Sequence, residues 1–172
     1  MIGKFDRYAV DAIGETLNTL GLQKEKEELV VVGGAAMAAF GIKPLKSTDL
    51  DIVVSDDLFS FLRRLEEWTR IEETSRLEAI RQGIPHSQST YDGLITRKGN
   101  VTAITAPLAD SAYNVSGDIL IAEGIMCKDS YRISPVARIL DWKLALVDTQ
   151  RPSKDKHFND AKLIGKYLLE QH

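Results

Sequence analysis

A single cysteine, Cys127, is all the thiol chemistry in this chain of 172 residues, so no disulfide can form within it and no cysteine-based zinc centre can be built. There is no apolar run long enough to cross a bilayer. The opening residues, MIGKFDRYAVD, turn polar too early for a signal peptide, so a cytoplasmic protein that does not enter membranes is expected. Neither the dinucleotide fingerprint G-x-G-x-x-G nor the phosphate loop G-x-x-x-x-G-K-[ST] occurs, which removes the support for two common folds. A large charge excess is missing too. The net charge of −3 argues against broad, sequence-independent nucleic-acid binding, although it leaves a local basic patch open. Internal repeats and low-complexity tracts are absent.

What remains is ordinary globular composition, 44% hydrophobic and 27% charged. The length suits one domain with a real core, or a domain carrying a small helical appendage. Phe5, Tyr8/Ala9, Ala12/Ile13, Thr16/Leu17 and Leu20 recur at helical spacing and Gly21 follows as a stop, which predicts an amphipathic first helix. The charged run Lys24 to Glu28 reads as a solvated loop. Asp56-Asp57 open a helix carrying Leu58, Phe61, Leu62, Leu65 and Trp68, with acids placed well for its N-terminus. Residues 69–92 carry no readable pattern. Gly93–Thr96 and Val101–Thr105 read as strands around the turn Arg97-Lys98-Gly99-Asn100. A helical turn is expected over Pro107–Tyr113, and two strands over Asp118–Ala122 and Ile125–Lys128. Ser134-Pro135 predicts a helix start, with Val136, Ile139, Leu140, Leu144 and Val147 on its apolar side. A polar joint then leads to a last helix with Phe158, Ala161, Ile164 and Leu168. The fold class is therefore α+β, a mixed β-sheet flanked by helices with helices at the C-terminus. The expected organisation is a core over 1–132 with a helical segment, 133–172, packed on it as one unit.

The stretch Leu29 to Ser55, LVVVGGAAMAAFGIKPLKSTDLDIVVS, carries the functional signal. It reads as strand, glycine turn, short helix, a loop with Pro44 and two lysines, and a second strand opening on Asp49-Leu50-Asp51. Alternation along a strand sends Asp49 and Asp51 to one side. Two like charges side by side repel, and a divalent cation gives them a reason to coexist. Backbone N–H groups at a glycine turn leading into a helix suit a phosphate. A Gly-Gly pair is commonly just a turn and Asp-x-Asp is common in caps. Their combination across a short helix is rarer, and it points to Mg²⁺-assisted chemistry on a nucleoside triphosphate.

Val32-Gly33-Gly34-Ala35-Ala36 followed by Ser47-Thr48-Asp49-Leu50-Asp51-Ile52 resembles the signature of the polymerase-β-like nucleotidyltransferase superfamily. Its compact single-domain branch, with lincosamide-type antibiotic nucleotidyltransferases and toxin-associated nucleotidyltransferase-like proteins, is the most similar. Lys143 on a helix and then Lys154-Asp155-Lys156-His157-Phe158-Asn159-Asp160 is similar to the tail of that branch. The resemblance implies that Gly33, Gly34 and Thr48 hold the triphosphate and that Asp49 and Asp51 are catalytic carboxylates binding Mg²⁺, with Mn²⁺ as a substitute. Lys143 and Lys156 would neutralise phosphate charge, though a solvated helix face accounts for lysines equally well. Asp160 could cap or orient the last helix. For His157 a surface position is the simpler reading than a general base.

Active members carry a third carboxylate on a neighbouring strand to activate the acceptor hydroxyl. The strand in that place, Gly99 to Thr105, contains no acid, and Thr102 occupies the position. Its neutral hydroxyl is no base at neutral pH. Asp118 is the candidate replacement, with Asp92 a second. The expected function is Mg²⁺-dependent transfer of a nucleoside monophosphate from an NTP to a hydroxyl on a small molecule, an RNA or a protein. The alternative is a non-catalytic or weakened binding protein of the same fold, in a toxin–antitoxin or defence setting. A second copy of the chain, or another protein, stays open as a partner.

Overall fold

A computed structural model of the chain describes residues 5–45, 49–70, 92–106, 115–128, 130–147 and 154–171. The first helix, α1 (Arg7–Thr19), buries Ala9, Val10, Ile13 and Leu17 at the spacing read from the sequence. Asp6 caps it, its side chain accepting from the Ala9 N–H at 2.9 Å. Gly21 reverses the chain at φ 74 and leads into one turn of 3-10 helix, Leu22–Glu25. Part of the charged run expected as a loop is therefore helical, because Leu22 packs into the core and pulls the turn down with it.

Among the described residues seven strands build one mixed sheet: β1 (Leu29–Val32), β2 (Leu50–Val54), β3 (Thr69–Arg70), β4 (Asp92–Lys98), β5 (Val101–Ala106), β6 (Ile125–Cys127) and β7 (Tyr131–Ile133). Their order is β3-β4-β5-β2-β1-β7-β6. β1 and β2 run antiparallel, while β1 with β7 and β2 with β5 run parallel. The remaining α-helices among the described residues are α2 (Gly33–Ala39), α3 (Asp56–Leu62), α4 (Gly117–Glu123), α5 (Val136–Val147) and α6 (Lys154–Glu170). The architecture is α+β with a mixed sheet flanked by helices and a helical C-terminus, as expected from the sequence. Among the described residues, no helix is long and apolar enough to cross a membrane.

Alternation along the central strands divides the core. Leu29, Val31, Leu50, Ile52 and Val54 join Val10, Ile13, Met37, Phe59 and Leu62 on one side. Val30, Val32 and Val53 join Leu120, Ile121, Trp142 and Leu146 on the other. The all-apolar reading of β1 follows from this, since it is covered on both faces.

Other sequence expectations change, and the helix expected to carry Leu58 to Trp68 ends at Leu62. Residues 118–122 are not a strand but lie in α4, where Ser116 accepts from the Ile119 N–H and caps the helix. The apolar triplet Ile119-Leu120-Ile121 looks like a buried strand, yet only Leu120 and Ile121 are buried and Ile119 is 47% exposed. β7, three residues long, was hidden in the approach to α5; Tyr131 and Ile133 bury while Arg132 bonds outward to Glu27. On α5 the buried row is Ile139, Trp142, Lys143 and Leu146, and Leu144 is 47% exposed. Lys143 lies in the buried row where Leu144 was expected, and Asp160 partners its charge there. The expected helical turn over Pro107–Tyr113 lies outside the described residues.

Candidate functional site

β1 delivers the chain to Gly33 and Gly34, where α2 begins. Gly33 takes φ 64, a left-handed value that strains an L side chain. A Cβ at Gly33 would lie 3.4 Å from Asp51 Oδ2 and 3.8 Å from the Trp142 ring, and a Cβ at Gly34 would lie 3.6 Å from Lys43 Nζ. A carboxylate thus approaches the first glycine and an ammonium the second. Val32, at the N-cap position of α2, offers no side-chain hydrogen bond to the first-turn N–H groups. Such groups have no acceptor within their own helix.

Asp51 is half-buried on β2, one residue inside the strand; Asp49 precedes the strand and is exposed. The Leu50 N–H donates to the Asn100 carbonyl at 2.9 Å, which pins the head of β2 beside the β4–β5 turn. Asp51 sits in register with Val32 on β1 and with Thr102 on β5. The strand position where a third carboxylate was sought is therefore directly beside Asp51, and it holds a half-buried threonine. Among the described residues, no group of three or more His, Cys, Asp or Glu side chains is placed to hold a metal. Two carboxylates suit Mg²⁺ bound jointly with a ligand, since Mg²⁺ takes one or two protein carboxylates and fills its octahedron with phosphate oxygens and water.

Neither replacement acid is brought to this end of the sheet. Asp118 is exposed in the first turn of α4, which starts with Gly117 against the Thr105 carbonyl and Val53. Those contacts lie two to three residues along the parallel strands from Asp51 and Thr102, roughly 7–10 Å away at a strand rise of about 3.3 Å. Asp92 pairs in register with Ala106, at that same far end. Thr48 lies outside the described residues.

The lysines have a different arrangement from the one the sequence suggested. Lys143 is buried on α5, and its Nζ lies 2.9 Å from Asp160 Oδ2. Asp160, also buried, accepts at Oδ1 from Lys43 Nζ at 2.8 Å. One carboxylate on α6 thus ties α5 to the loop between α2 and β2. Burial pushes the Lys143 pKa down against the opposing pull of Asp160, and repulsion from Lys43 and Lys156 adds to the depression. Burial works to raise the Asp160 pKa, but the hydrogen bonds from Lys43 and Lys143 prevail and hold it below its ordinary value. Lys156, exposed in the first turn of α6, stands close enough for its charge to act on Lys143. His157 beside it is half-buried.

Lys43 was visible in the sequence only as a loop lysine. Its partner is 117 positions away, so no local spacing could mark it. The solvated-face alternative for Lys143 does not describe its buried place, whereas it does describe the exposure of Lys156. No protein-family model, no curated protein and no solved structure matches the chain.

Proposed function

We propose that the protein is a Mg²⁺-dependent nucleotidyltransferase that moves a nucleoside monophosphate from an NTP to a hydroxyl acceptor. The observation that carries this reading is the pair of groups at the glycines: Asp51 Oδ2 3.4 Å from the Cβ position of Gly33, and Lys43 Nζ 3.6 Å from that of Gly34. A cation-binding pole and an anion-binding pole flank one short stretch of bare backbone. A metal–triphosphate has that polarity, with its dication held by carboxylates and its phosphate oxygens by ammonium and N–H groups. Bound Mg²⁺ supplies charge stabilisation on the phosphates. Asp49 and Asp51 hold and orient it, and the side-chain-free Gly33-Gly34 admits the phosphates close to the backbone. The acceptor oxygen forms a bond to the α-phosphorus as the α–β bridging P–O bond breaks, and the hydroxyl proton leaves with the pyrophosphate.

A second reading is favoured by a specific observation, the threonine in register with Asp51. With no base in that position, the same site binds a metal–nucleotide without transferring it. Incubation with each labelled NTP, Mg²⁺ and candidate acceptors separates the two. Transfer that Asp49→Ala and Asp51→Ala both abolish is the expected result for the enzyme. Thermal stabilisation by Mg-NTP with no pyrophosphate release identifies the binder. Transfer that survives both substitutions would remove this site from the function.

A further inference from the structure

The lysines around Asp160 are not equivalent. Asp160 gives one carboxylate oxygen to each of two lysines, at 2.8 Å to Lys43 and 2.9 Å to Lys143. The Lys143 side chain is 7% exposed and the Lys43 side chain 23%. An ammonium carries three donors, of which Asp160 takes one from Lys43. Lys43 is also the lysine whose Nζ borders Gly34. Three ammonium groups (Lys43, Lys143 and the nearby Lys156) stand around the single Asp160 carboxylate, and of these Lys43 is the one that borders the glycine pair.

We propose that Lys43 is the residue that contacts the phosphate chain of the ligand, with Asp160 as its positioning residue and Lys143 as the buried counter-charge that keeps Asp160 in place. This rests on the metal–nucleotide reading of the same site, but it assigns the anion contact to a loop lysine rather than to the helix lysine the tail pattern emphasised. Asp160 restricts a side chain that would otherwise sample many rotamers, so the ammonium is held ready at the glycine pair. Lys143 is set apart by its place: its side chain is 7% exposed, and Lys43 is the lysine whose Nζ borders Gly34.

Inorganic tripolyphosphate, titrated without metal into the full chain, tests the assignment apart from transfer. Lys43→Ala is expected to weaken binding about tenfold or more, the scale of a lost charged hydrogen bond, and Lys43→Arg to restore most of it. Asp160→Asn removes a negative charge, so a simple field effect would tighten anion binding. Positioning predicts the reverse, a weaker complex in a protein whose circular dichroism is native. If Lys43→Ala binds tripolyphosphate and Mg-NTP as the parent does, this assignment is overturned while the metal–nucleotide reading stands. If tripolyphosphate binds through Lys43 but Mg-NTP binding ignores Asp49 and Asp51, the assignment stands and the metal–nucleotide reading falls. Absence of binding by either probe overturns both.

Discussion

At the scale of single residues, the site is a matter of what two glycines permit and one carboxylate organises. Asp160 is buried with a lysine on each oxygen, and such a group is held in its charged form by its partners. Because its pKa is lowered from 3.8, the folded chain binds fewer protons there than the unfolded chain does. Its contribution to stability is present above the unfolded value and lost as pH falls through the folded one. Lys143, whose pKa burial also lowers, acts at the other extreme: stability rises with pH from its folded value toward 10.5. Asp160→Asn should cost about 3 kcal/mol near neutral pH by leaving Lys143 buried without its counter-charge. Urea unfolding of parent and variant should show that difference shrinking as pH falls below about 3.8, where the unfolded chain takes up the Asp160 proton before the folded chain does. A constant difference across that range would show that the ion pairs are not its source.

At the scale of elements, the close docking of α4 illustrates how a helix can displace an expected strand. A Cβ at Gly117 would lie 2.2 Å from the Thr105 carbonyl and 3.2 Å from Val53 Cγ1, so only glycine lets the first turn of α4 reach the end of β5. Gly117→Ala should therefore destabilise the protein by about 1–3 kcal/mol, as overpacking does, in spite of alanine's better helix propensity. Denaturant midpoints read this directly; a stabilised variant would mean that α4 does not seat where it is described. The helix can be recognised afterwards in the triplet Ser116-Gly117-Asp118, an N-cap followed by an acid in the first turn. The apolar run behind it masked that signal, since a short run of Ile and Leu is compatible with a strand or a helix face. The buried row of α5 was misread for a related reason. Periodicity counts apolar residues, and Lys143 lies in that row as a charged one.

At the scale of the whole molecule, the site lies where the two central strands meet their connection. β1 ends at the glycines, β2 begins at the aspartates, and both are flanked by further strands in the sheet. Leu29 to Val32 are essentially inaccessible, while β3 and β6 form the sheet edges. Native-state amide exchange should find β1 and β2 opening only with global unfolding, and β6 exchanging faster through local opening. Protection in β6 equal to that of β1 would indicate that its edge is covered. The expected slow exchange fits the task proposed for this region, because Asp51 and Gly33 must keep their spacing for a metal and a phosphate to share them.

The sequence by itself determined the central unit: strand, Gly33-Gly34, short helix, Asp49-Leu50-Asp51, strand. It did so because each step is local chemistry, namely β-branched residues, glycine, a small-residue run and alternating apolar positions. It also singled out Thr102, which the sheet register places beside Asp51. Only the tertiary structure decided what surrounds that unit. The Lys43–Asp160–Lys143 cluster joins a loop, α5 and α6 across more than half of the chain, and no periodicity encodes a bond of 117 residues' separation. The same holds for Asp118, whose distance from the aspartates depends on α4 docking at the far end of parallel strands. Pairing energies at such sites arise from burial and charge brought together by packing, and a sequence pattern holds only one partner at a time.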